Sequence, residues 1–340
     1  MNQTLRVLAL FLSLAISPVA IFAQRILFDS SNEVCSQPGF QIEWDSTSQR
    51  MFAYRDTSDP ACPSVRAFPN SGSGVALYPL KDLTGATYID IWSITGSSLG
   101  DIVLSATVGY GPRNARPIPI KSLILTYDVT GMLRKVWDVS PYLHHHLAVD
   151  SEGNVFALGE KGATGRDYSL LIKYSPAGAV LSETLSTALF AGKDAVVVCG
   201  SPNGEPKLFV RNDHLFAWIA PTQELFTFSM NGALLSRSSL SSAIQQMADT
   251  TGSTRARVLE VDVDSNQRVI FQVLLRHQLP ALPAVALARV APNGSFESWI
   301  EPPSDRDVHR FIGLTADDKN LFLEKVSQKA VAPRVIALEN

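Results

Sequence analysis

The stretch Ser122–Gly159, SLILTYDVTGMLRKVWDVSPYLHHHLAVDSEGNVFALG, is built from short β-rich runs separated by tight turns. Ser122–Tyr127 and Val155–Leu158 are apolar and rich in strand formers. The turns Asp128–Gly131 and Asp150–Asn154 use Asp, Ser, Gly and Asn, which close hairpins because they tolerate or supply unusual backbone angles. Looser copies recur on either side. One turn class ends in Gly, at Tyr127–Gly131, Tyr174–Gly178, Phe228–Gly232 and Val290–Gly294. Gly in that place is what a positive φ asks for. A second class follows an apolar strand, at Trp44–Arg50, Thr95–Asp101, Val149–Asn154, Gly200–Pro206, Val263–Arg268 and Thr315–Asn320.

Strands entering this second turn are expected at Phe40–Asp45, Tyr88–Thr95, His145–Asp150, Asp194–Cys199, Arg257–Asp264 and Arg310–Thr315. Strands leaving it include Met51–Tyr54, Asp101–Val108, Val155–Leu158, Lys207–Val210, Arg268–Leu275 and Leu321–Lys325. A third set precedes the Gly turns and a fourth follows them. The fourth repeat is irregular, with Lys207–Val210, Leu215–Ala220 and Glu224–Phe228 offering three strands where two are needed. Helical character is confined to Ser239–Ala248.

Four strands repeated six times make an all-β fold, a single six-bladed β-propeller of four-stranded antiparallel blades. The sixth repeat runs out of chain after its third strand, 334–338. The segment 25–28 precedes the first repeat and is predicted to pair with 334–338, closing the ring and covering two sheet edges.

Met1–Ala23 reads as a signal peptide, with one early positive charge at Arg6 and an apolar run, Val7–Ile16, too short to span a membrane. Residues 24–340 then form the propeller, exported to a periplasm or the exterior. No later run reaches the roughly 20 apolar residues of a membrane span. A formal net charge of −3 with 18% charged residues gives no electrostatic reason for nucleic-acid binding. Of three cysteines, Cys35 and Cys62 sit in loop-like surroundings and are candidates for a disulfide in an oxidising compartment, while Cys199 ends an apolar run and reads as a buried thiol.

The units YDVTG…LAVDSEGNVFALG and YSPAG…VVVCGSPNGEPKLFV resemble the repeats of NHL-type six-bladed propellers, in which an inner strand ends in a D-x-x-G-N-like turn. The third repeat fits that pattern, at Val149–Asn154; the others depart from its wording. The resemblance implies blade order and a host of functions, from protein or ligand binding to lactonase and lyase chemistry. It carries no catalytic residue.

Loops feeding the innermost strands converge at one mouth of a propeller's channel, which makes that face the expected binding site. Residues at these entries are Asp90, His144, His145, His146, Asp194, Arg255, Arg257, His309 and Arg310, with Glu43 deeper in the first inner strand. Polar residues at a wet rim need no function, so the set is a candidate only. His144 and His146 alternate on a strand and are expected to face one way. A divalent metal held by His144 or His146 with Glu43 and Asp90 is the alternative, although no H-x-x-x-H or H-E-x-x-H spacing is present. The five Trp residues fall in different repeats and are expected to pack between blades. The expectation is a non-catalytic, cofactor-free propeller binding an unknown protein, peptide or small-molecule ligand at its channel mouth, with a metal-dependent hydrolase or lactonase as the alternative.

Overall fold

A computed structural model of the chain describes residues 41–68, 74–111, 119–162, 168–190, 205–277, 283–304, 310–327 and 330–336. The first antiparallel sheet contains β1 (Gln41–Asp45), β2 (Arg50–Tyr54), β3 (Val65–Phe68) and β4 (Val75–Leu77). The second contains β5 (Tyr88–Gly96), β6 (Ile102–Gly109), β7 (Ile120–Tyr127) and β8 (Leu133–Asp138). The third contains β9 (Tyr142–Val149), β10 (Val155–Lys161), β11 (Ser169–Tyr174) and β12 (Val180–Ser186). The fourth runs through β13 (Lys207–Arg211), β14 (His214–Ile219), β15 (Glu224–Ser229) and β16 (Leu234–Ser239). The fifth holds β17 (Arg255–Val263), β18 (Val269–Arg276), β19 (Ala284–Val290) and β20 (Phe296–Ser304). A further sheet has three strands, β21 (Arg310–Leu314), β22 (Asn320–Ser327) and β23 (Ala330–Ile336).

The fold is therefore an all-β propeller with four-stranded antiparallel blades. Among the described residues five blades are complete and the last sheet lacks a fourth strand. The segment 25–28 assigned to that gap lies outside the described residues, as do residues 337–338 of its predicted partner. The short helices α1 (Pro79–Asp82) and α2 (Ser241–Thr250) lie between blades, the second close to the helical stretch expected from sequence.

All four Gly turns form as predicted, with φ of 85°, 85°, 89° and 83° at Gly131, Gly178, Gly232 and Gly294. The Asp turns are held by the carboxylate of their first residue. Asp150 accepts from the backbone N–H groups of Glu152 and Asn154, at 3.0 and 2.8 Å. Asp264 does the same for Asn266 and Arg268, both at 2.9 Å. In the last sheet Thr315 takes this place, its hydroxyl accepting the Lys319 N–H at 3.0 Å.

The fourth blade departs from the sequence reading. Among the described residues its innermost strand is β13, and Asp194–Cys199, expected in that place, lies outside the described residues. β13 turns into β14 through Asn212 and Asp213, both at positive φ (49° and 57°), a two-residue hairpin loop of the kind whose twist suits paired strands. The Gly200–Pro206 segment looked like the recurring turn, but the copy that closes this blade is the shorter Asn-Asp loop. With β13 innermost, the strands β13, β14, β15 and β16 fill the four places of the blade in chain order.

A second departure concerns side-chain direction. Pairing of β9 with β10 shifts register between Leu158 and Gly159, which leaves His145 as an extra residue on β9. The same one-residue irregularity falls at Trp92 in β5, Leu259 in β17 and Ile312 in β21. A bulge of this kind bends its strand and re-aims side chains. Gly159 makes room for it, since a Cβ there would lie 2.1 Å from the carbonyl oxygen of Leu143. Serines of the neighbouring blade take up displaced backbone groups: Ser93 accepts the Leu147 N–H at 3.1 Å, and Ser105 donates to the His144 carbonyl at 2.8 Å.

Candidate functional site

The innermost strands β1, β5, β9, β13, β17 and β21 contribute to a cavity of about 370 Å³. Its lining includes Gln41, Glu43, Tyr54, Trp92, His146, Glu205, Lys207, Leu259, Glu260 and Arg310. Where the inner strands end, their turns grip one another. Arg211 donates to Thr315 O and to Asp318, both at 2.6 Å, while Ser46 donates to Val210 O at 3.3 Å. Asn212 reaches Asp264 O at 3.3 Å, and Ser265 N–H reaches Asp318 at 3.0 Å. Those contacts tie the inner turns together at one end. The exposed residues Gln41, Glu205 and Arg310 stand at the other, where the strands begin.

Deep in the cavity three blades meet in one charge cluster. The ammonium of Lys207 on β13 is bonded to the carboxylate of Glu260 on β17 and to Val261 O at 3.1 Å. Glu43 on β1 faces the pair and accepts a hydrogen bond from the hydroxyl of Tyr54. Burial pushes the Glu43 carboxyl up to about 7; Lys207 opposes this, and Glu260 and Asp45 add to it. Burial and then the Glu43 carboxylate raise Tyr54 well above the usual phenol range. For Lys207, burial works against the ammonium, but the negative charges of Glu260, Asp262 and Glu43 outweigh it and raise its pKa. Glu43 retains partial exposure toward the cavity.

Asp262, beneath this cluster, is structural: its carboxylate accepts the N–H groups of Leu314 at 2.7 Å and Val263 at 2.8 Å. Asp45 binds blade to blade in the same way, accepting from Gly96 N–H at 3.0 Å and the Thr95 hydroxyl at 3.2 Å. Burial raises both carboxyls.

Of the residues proposed from sequence, Glu43, His146 and Arg310 line the cavity. His144 does not. It is 2% exposed, its Nε2 lies 2.9 Å from the Tyr174 hydroxyl, and burial lowers its pKa to about 3, so it is a neutral core histidine. The expectation that His144 and His146 share a face fails because the bulge at His145 breaks the strand's alternation. His145 packs against Trp92, ring centroids 4.9 Å apart, with Nε2 3.6 Å from Glu160. Asp90, Arg255 and Arg257 lie on inner strands but outside the lining of this cavity. Asp194 and His309 lie outside the described residues. Among the described residues, no three of His, Cys, Asp and Glu gather as a metal would require. Cys62 is buried and disulfide-bonded; its candidate partner Cys35 lies outside the described residues.

Sequence reasoning missed Lys207, Glu260, Tyr54 and Trp92 as site residues. The Asn212–Asp213 turn was the signal that would have placed Lys207 at the start of an inner strand. Trp218 does pack between blades, 5.2 Å from Phe271. Trp92 touches the neighbouring blade at His145, but it is 39% exposed and also lines the cavity.

No protein-family profile matches the chain, and no curated protein matches it. Solved structures do. A candidate exported protein from Bacteroides fragilis is similar over 88% of this chain and 95% of its own, at 10% identity and a TM-score of 0.50. A streptogramin B lyase covers the same shares at 10% identity and a TM-score of 0.44. A GH74 xyloglucanase from Xanthomonas campestris matches 92% of this chain over 45% of its own length, at 12% identity and a TM-score of 0.48. At such identities the likeness concerns the fold alone.

Proposed function

We propose that this chain is an exported, six-bladed propeller that binds a small polar ligand in its central channel. The observation that carries the reading is the cavity itself: about 370 Å³, with Glu43, Tyr54, Lys207 and Glu260 converging at its depth. Concave sites with a few convergent polar groups are where small molecules bind. The last sheet supports a sixth blade, since β21 packs against β1 through Trp44, whose indole N–H donates to Leu314 O at 3.0 Å. Pairing of residues 25–28 with β23 would complete that blade in the manner of NHL-type propellers. The residue pattern of Met1–Ala23 supports export. Neither nucleic acid nor a membrane belongs to this reading, and it needs no cofactor.

The test is the thermal unfolding midpoint of the mature protein against a panel of neutral, anionic and cationic small molecules. A ligand that raises the midpoint of the wild type, and does so far less for Glu260→Gln, supports the reading. Ligands that stabilise both proteins equally would move binding away from the channel.

A second reading, hydrolysis, is favoured by Glu43 alone, because a carboxyl held near 7 can give and take a proton at neutral pH. Its metal-dependent form would draw on Glu43 and His146, which both line the cavity. Protein dialysed against a mild chelator would then retain a stoichiometric divalent ion, lost on Glu43→Gln.

A further inference from the structure

We infer that the channel ligand is an uncharged, polyhydroxylated ring, a pyranose sugar or a close relative; this rests on the small-ligand reading of the cavity. Three observations converge on that class. The first is charge. Lys207 is already joined to Glu260, and Arg310 and Glu205 stand at the rim with opposite signs. No strong excess of one sign awaits an ionic ligand, and a buried charge without a partner would be costly.

The second is hydrogen bonding. Lys207 uses two of its three N–H donors on Glu260 and Val261, and the second carboxylate oxygen of Glu260 has no partner among the described residues. Donors and acceptors thus lie side by side, which suits hydroxyls because each both donates and accepts.

The third is apolar surface exposed within the cavity. Trp92 and Leu259 are each 39% exposed, and both sit at inner-strand bulges. The Trp92 ring is held in place by its N–H bond to the Thr107 hydroxyl at 2.7 Å and by the edge contact with His145. A fixed aromatic surface beside a polar floor matches a molecule with a C–H face and a hydroxyl edge.

Titration calorimetry of the full mature protein tests this with two sets of probes. One is neutral: glucose, galactose, mannose, xylose, cellobiose and maltose. The other is charged: glutamate, lysine and citrate. The expected result is saturable binding of at least one neutral sugar, weakened about tenfold or more by Trp92→Ala and largely restored by Trp92→Tyr, with Glu260→Gln also weakening it. Should Trp92→Ala fail to fold, the Trp92→Tyr and Glu260→Gln proteins still carry the comparison. Binding of a charged probe with no sugar binding would overturn the ligand class and leave the channel-binding reading standing. No binding by either set would overturn both.

Discussion

Glu43 is a carboxylate kept in a place where ionisation is unfavourable, and that has a consequence for stability. Its pKa rises from 4.5 to about 7 on folding, chiefly through burial, so the folded chain holds this proton more tightly than the unfolded one. The contribution is fully present below pH 4.5 and is lost as pH rises through about 7. Glu43→Gln cannot ionise. Its stability relative to the wild type is therefore expected to climb between pH 4.5 and 7 and to level off above, as read from denaturant midpoints at several pH values. A difference that stays flat with pH would mean that Glu43 is not buried in this way. His144 shows how far a residue-level reading reaches. Its type and position were legible, but a histidine on a strand can as well be a core group as a ligand. Only the Tyr174 contact and its burial decide.

At the scale of the element, the turns were readable and the bulges were not. A Gly or Asx turn is a local event, set by positive φ and by side chains bonding their own backbone, so Gly131, Gly178, Asp150 and Asp264 could be assigned from neighbours alone. A bulge depends on what the opposing strand presents. Gly159 on β10 admits the extra residue on β9, and nothing within β9 announces it. Gly159→Ala is expected to destabilise the protein by about 1–3 kcal/mol, because the added Cβ meets backbone that cannot rotate away. Chemical denaturation would read that cost. A near-neutral result would show that the bulge can be closed without loss. The order of the fourth blade is hidden in the sequence for a related reason: a run of strands has no intrinsic first member until its pairing is known.

At the scale of the whole molecule, the blades are joined by polar contacts that span long stretches of chain. Trp44 to Leu314, Arg211 to Asp318 and Lys207 to Glu260 each link different sheets around the channel. If residues 25–28 complete the sheet of β21, β22 and β23, removing 24–30 while keeping Cys35 should lower the thermal midpoint by roughly 3 °C, as expected for a loss of about 2 kcal/mol in a domain of this size. Hydrogen exchange in β23 should rise with it. An unchanged midpoint and unchanged exchange would place the closing strand elsewhere.

Strand and turn chemistry is local, and it determined the propeller class, the four-stranded blade and the Gly and Asp turns. Which inner-strand side chains enter the channel depends on register, on bulges and on the order of pairing, and each of these is a relation between strands. The tertiary structure alone therefore decided that Lys207, Glu260, Tyr54 and Trp92 join Glu43, while His144 turns into the core. It also decided the protonation of Glu43, since a carboxyl's pKa follows its burial and its neighbours, and these come from three separate blades.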